Sequence, residues 1–261
     1  MNLFGYEWKK MIPKKGLLFI PLLYIYLFID FGFVSSDDIW IEWFISYNFD
    51  FKILCVILIF ILSPLFAREK ESDMLDLILT SKNGVKELPK IKLLTGFVLT
   101  NILVILFCVI SYISFGIGHS AWNWNVQIED MALYSFISNP AIVTYRDMRN
   151  QVWHNSFLAL NLLAAFVMLV SGKSKESLHT AIVSIVVNFV LGARNMIAIM
   201  RTRFGAMLIE SFPANFIWNK ALNEESVLFM GREIHIIYIA QVVVAILCLV
   251  LYKLISMVYR S

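Results

Sequence analysis

The stretch "FKILCVILIFILSPLFAREKESDMLDLILTSK", residues 51–82, changes character at Phe66. Up to that point nearly every side chain is apolar. Beyond it Arg68, Glu69, Lys70, Glu71, Asp73 and Asp76 follow in close succession. An apolar run of this length reads as a helix crossing the ~30 Å hydrocarbon layer of a bilayer. Only helices and closed barrels satisfy their backbone polar groups there, and the strict alternation of a barrel strand is absent. The charged half is then placed at a membrane surface.

The rest of the chain repeats the pattern. Of its 261 residues 59% are hydrophobic and 16% charged, with a mean hydropathy of +0.74, far from a water-soluble composition. The expected fold is an all-α integral membrane protein with six transmembrane helices. The spans are Gly16–Val34, Phe51–Ala67, Ile91–Ile117, Asn155–Gly172, Ser177–Ala198 and Ile234–Met257. Residues 1–261 read as a single domain, with exposed pieces at the N-terminal segment, at 35–50, 68–90, 118–154, 173–176 and 199–233, and in a short tail. Internal repeats and low-complexity segments are not visible. No cleavable signal peptide is expected, because four lysines precede a first span with no small-residue cleavage site behind it.

Orientation follows from lysine and arginine. With the N-terminus cytoplasmic, that side carries 14 of the 22 basic residues against 7 of the 19 acids, leaving 8 basic and 12 acidic residues outside. Short basic loops belong inside, so both termini are expected in the cytoplasm. The overall charge of +3 then reflects topology, and no basic stripe with interleaved aromatics points to nucleic acid. Within residues 1–15, Phe4, Trp8, Met11 and Ile12 fall at helical spacing opposite Lys9 and Lys10. They read either as an interfacial helix on the inner leaflet or as an ordinary basic flank to the first span.

Chemistry is sparse. "GKS" at 172–174 resembles the end of a phosphate loop, but position 167 is Val where a glycine is required, and the preceding segment is a membrane helix. His119, His154, His179 and His235 are scattered, and no metal-binding pair forms among them. Cys55, Cys108 and Cys248 lie inside apolar runs and read as buried thiols. No catalytic, cofactor-binding or metal-binding set is expected. Polar residues inside spans are functional candidates because burying them in lipid is costly. Asp30 sits near the outer end of the first span, and Asn101 and Gln241 suit interhelical hydrogen bonds. Asn188, Arg194 and Asn195 cluster in the outer half of the fifth span. They fit a possible substrate path, or, for Arg194, an arginine reaching the outer interface. The outer loops mix aromatics with charge, and "AMLIESF" and "NFIW" are too short to span; they fit re-entrant or interfacial helices, or a compact cap.

Ser63-Pro64 should kink the second span at its inner end. The chain then continues as "REKESDMLDLILTSK", with an apolar stripe of Met74, Leu75, Leu77, Ile78 and Leu79 and a charged one of Glu69, Lys70, Asp73 and Asp76. "KNG" at 82–84 is a helix stop, and "VKELPKIKLL" forms a second short helix leading into the third span. Such a helix–turn–helix either presents a charged face to a soluble partner or seals the bundle with solvated charges.

This region resembles the signature of ABC-2 type transporter permeases, in which Glu71, Leu75, Asp76, Leu77, Ile78, Leu79, Thr80 and Lys92–Leu94 fall in matching or conservatively replaced positions. "YEWKKMIPKKGLLFI" at 6–20 also looks like the usual start of such subunits. Asp73 and Met74 stand where Gly-Thr is usual, Lys82 replaces a proline and Ile91 a glycine. The resemblance implies a transmembrane subunit that binds no ATP itself and pairs with a separate ABC ATPase subunit. A second permease copy, most simply in a homodimer, would complete the path across the lipid. It places a coupling helix within 68–90, carried by Glu71, Asp73, Leu75, Asp76 and Leu77. With 15% aromatics and few buried charges, the expected cargo is an amphipathic or antimicrobial peptide of the bacteriocin or phenol-soluble-modulin type. Export of lipid, glycan or drug, and a non-transporting immunity or sensor protein, are the alternatives.

Overall fold

The computed structural model describes residues 39–73, 87–120, 122–128, 143–191, 226–229 and 232–235, with isolated positions at 25 and between 242 and 257. Five α-helices are described: α1 (Ile39–Leu62), α2 (Pro64–Glu71), α3 (Leu88–His119), α4 (Tyr145–Lys173) and α5 (Ser177–Ile185). A π-helical stretch, Val186–Leu191, extends α5. Two short strands, β1 (Ser226–Phe229) and β2 (Arg232–His235), pair antiparallel with Ser226 opposite His235.

Among the described residues, three helical stretches are long and apolar enough to cross a membrane: Phe49–Glu71, Leu88–His119 and Tyr145–Lys173. They make this a multi-pass membrane protein with an all-helical spanning part. At 1.5 Å per residue, α3 is ~48 Å long, so its ends project beyond a ~30 Å hydrocarbon layer. On α3 an exposed apolar stripe, Leu94, Ile102, Ile105, Val109, Ile113 and Ile117, runs along the side away from the buried Leu99, Leu103, Phe107 and Ser114.

α1 and α4 run in the same direction, and α3 runs against both. Tyr47 meets Ser156 and Ser63 meets Ser171 between α1 and α4. Asn101 meets Asn161, and Gly96 lies against Met168, between α3 and α4. A Cβ on Gly96 would sit 2.6 Å from Met168 Sδ, so the small residue permits this close crossing. The core is built from α1, α3 and α4, with Trp43, Tyr47, Phe51, Phe107 and Phe115 among its largest fully buried side chains. Cys55 and Cys108 are buried free thiols, as expected.

Several sequence boundaries need correction. The loop expected at 35–50 is helical from Ile39, because Trp40, Trp43, Tyr47, Asp50 and Leu54 form one buried stripe at spacings of three and four. The loop expected over 118–154 becomes helix at Tyr145 for a local reason. Thr144 caps α4: its side chain accepts from the Asp147 backbone N–H, and the Asp147 carboxylate accepts from the Thr144 N–H at 3.0 Å. The fifth span, expected as one helix from Ser177, changes to π-helical geometry at Val186. Ile234, expected to begin the sixth span, lies instead in β2. Residues 1–15, most of the first span and Gln241 lie outside the described residues.

Candidate functional site

The charged stretch that begins at Arg68 follows a break at Ser63. Pro64 has no N–H to donate and starts α2. Ser63 keeps helical dihedrals (φ −53°, ψ −41°), so the interruption is a missing bond within a nearly continuous path, not a sharp turn. Its hydroxyl donates to the Ile59 carbonyl at 2.6 Å.

Ser171 of α4 then bridges the joint. Its Oγ accepts from the backbone N–H groups of Phe66 and Ala67 at 3.0 and 3.1 Å and donates to the Ser63 carbonyl at 2.8 Å. N–H groups in the first turn of a helix have no intrahelical partner, so one hydroxyl supplies the cap that the sequence of α2 lacks.

Below that joint lies a buried ion pair. Lys92 Nζ on α3 sits 2.5 Å from Glu69 Oε1 on α2, and both side chains are 1% exposed. Lys92 also donates to the Leu65 carbonyl at 2.6 Å and lies 5.2 Å from the centre of the Phe66 ring. A buried charge is tolerated only with such partners. The sequence places Glu69 on the charged stripe that follows the second span; packing of α2 on α3 buries it. Lys92, picked out by resemblance alone, turns out to be its counter-charge.

α2 stops soon afterwards. The Ser72 N–H donates to the Arg68 carbonyl, its hydroxyl donates to the same oxygen, and Asp73 adopts a positive φ of 53°. A continuous helix from Arg68 to Lys82, as the periodicity suggested, is therefore broken at Ser72–Asp73. Residues 74–86 lie outside the described residues, and Leu75, Asp76 and Leu77 with them. The chain returns as α3, whose first turns absorb the short helix expected at 85–94. Both flanks of residues 74–86 are thus tied together by Glu69 and Lys92.

The other predicted residues fare unevenly. Glu71 is exposed, and its carboxylate accepts from the Ser177 hydroxyl at 2.7 Å, tying α2 to the start of α5. Asp73 is exposed. Asn188 is 1% exposed within the π-helical stretch, and its amide has no hydrogen-bond partner among the described residues. Arg194 and Asn195 lie outside the described residues. Asn101 does pair between helices, exchanging side-chain amide hydrogen bonds of 3.1 and 3.2 Å with Asn161.

Sequence reasoning missed a second feature at the opposite end of the bundle. The Arg149 guanidinium lies 5.0 Å from the Tyr112 ring, 5.0 Å from Trp124 and 4.8 Å from Trp153. Trp124 belongs to the loop 122–128, which is stitched to α4 by Tyr145 N–H to the Val126 carbonyl and Arg146 N–H to the Trp124 carbonyl. Trp40 stacks on Tyr145 at 4.7 Å and meets Trp124 edge-on at 4.8 Å. The signal was visible as aromatics clustered in 122–124 and at 153, but their convergence on one arginine requires the fold.

The chain matches no known protein family, no curated protein and no solved structure.

Proposed function

We propose that the chain is the transmembrane subunit of an ATP-driven exporter of the ABC-2 type, moving amphipathic peptides with a separate ATPase. The observation that carries this reading is the Glu69–Lys92 clamp, which fixes α2 and α3 on either side of residues 74–86. A partner gripping that segment would pull on two helices bound to each other by a buried ion pair. Through Ser171 the same motion would reach α4. A surface segment rooted this way suits transmission of force, whereas a loosely hung loop would absorb it.

In this reading Glu71, Asp73, Leu75, Asp76 and Leu77 face the ATPase, and the chain needs no nucleotide site of its own. Asn188, Arg194 and Asn195 would lie along the substrate path, where the buried Asn188 amide, which has no partner among the described residues, could hydrogen-bond a peptide. Residues 68–90 would lie in the cytoplasm, and two copies would flank the path.

The test is substitution within the segment. Leu75→Glu and Leu77→Glu should release the ATPase or uncouple its hydrolysis from peptide export, while the membrane-embedded fold stays intact by circular dichroism. Survival of both ATPase binding and export would refute the assignment. Unchanged peptide tolerance in cells lacking the protein would remove the peptide cargo but leave the ABC-2 scaffold.

A further inference from the structure

At the lysine end of the bundle, a cavity of about 600 Å³ opens between the end of α4 and the start of α5. Its walls divide by chemistry. Leu169, Val170 and Val183 form an apolar side, and Lys173, Lys175 and His179 a cationic one, with Glu176 the single acid present. Lys173 and Lys175 are exposed, so their ammonium groups are available. Ser174, only 8% exposed, also lines the cavity. Glu176 and His179 bring the start of α5 to the cavity wall. Lys70 stands nearby, and its ammonium donates to the Gly172 carbonyl.

The cavity also has a definite depth. It lies where α4 leaves its apolar stretch, and Leu178, Ile182 and Val186 of α5 continue from it as an exposed apolar stripe. Basic groups at the mouth and aliphatic side chains leading toward the bilayer centre match a molecule with an anionic head and a hydrocarbon tail. A free anion would use only the mouth.

We propose that this cavity binds an anionic phospholipid, its phosphate held by Lys173, Lys175 and Ser174, and its acyl chain lying along Val183 and the α5 stripe. The site is independent of the transport reading, since it requires only that the chain be embedded in a bilayer. By tying lipid to the α4–α5 corner, it would also load the Glu71–Ser177 contact beside it.

Native mass spectrometry of the full chain in detergent, titrated with phosphatidylglycerol, tests the proposal. One phosphatidylglycerol should be retained more tightly than phosphatidylcholine, and Lys173→Gln/Lys175→Gln should weaken retention about ten-fold. Val183→Trp, which fills the apolar side without touching charge, should weaken it as well, and millimolar inorganic phosphate should not displace the lipid. Equal binding of the two lipids, or retention unaffected by the lysine pair, would overturn the proposal. Displacement by inorganic phosphate with Val183→Trp unaffected would overturn it in favour of a free-anion site.

Discussion

A cation sits near each end of the α1–α3–α4 bundle, and the two are held in opposite ways. Lys92 is fully buried, ion-paired with Glu69 and bonded to a backbone carbonyl. Arg149 is half-buried among three aromatic rings and has no carboxylate partner among the described residues. An ion pair taken out of water fails badly when one member is lost, because the other is left charged and unsolvated. A cation over ring faces is held by weaker, graded attraction and remains partly solvated. The lysine end is therefore built to keep helices locked to each other, and the aromatic end to hold a loop against the bundle.

The widest separation between the two ends should come from Lys92→Met. Leaving Glu69 buried and unpaired should cost about 3–5 kcal/mol of stability, read as thermal unfolding in detergent. Glu69→Leu combined with Lys92→Met should recover most of that loss; a double variant as weak as the single would mean that the pair is not the lock. Next comes Ser171→Ala, which strips the Phe66 and Ala67 N–H groups of their acceptor and should cost about 1–3 kcal/mol. At the aromatic end Arg149→Gln should cost only about 1 kcal/mol, with a shift in tryptophan emission from Trp124 and Trp153, and Arg149→Lys should restore part of it. The smallest effect is expected midway between the ends. There Asn161→Leu removes the amide exchange with Asn101 and should cost about 0.6 kcal/mol. If Arg149→Gln proved as damaging as Lys92→Met, the contrast would collapse.

The spanning helices were legible because hydropathy over some twenty residues is a local property. The starts of α1 and α4 were not. Both begin in stretches where tryptophan, tyrosine, asparagine and charged residues lower the hydropathy, although their buried faces keep helical spacing: Trp40, Trp43 and Tyr47 in one, Tyr145, Met148 and Val152 in the other. The Thr144–Asp147 cap was readable in principle from its spacing. Glu69–Lys92 was not, since the partners are separated by the whole of residues 70–91 and meet only because α2 folds against α3. The same holds for Arg149, whose three rings come from α3, the loop 122–128 and α4.

The difference between the two ends bears on function at the lysine end, where the proposed ATPase would dock. The most direct measurement is photo-crosslinking in cells, with a photoreactive side chain in place of Asp76 and, as control, in place of the exposed Trp122 near the aromatic end. The proposal predicts a crosslink from position 76, and none from 122, to a protein whose sequence carries an ABC-type phosphate loop. Absence of such an ATPase from the position-76 product, with the membrane protein folded and expressed, would contradict it.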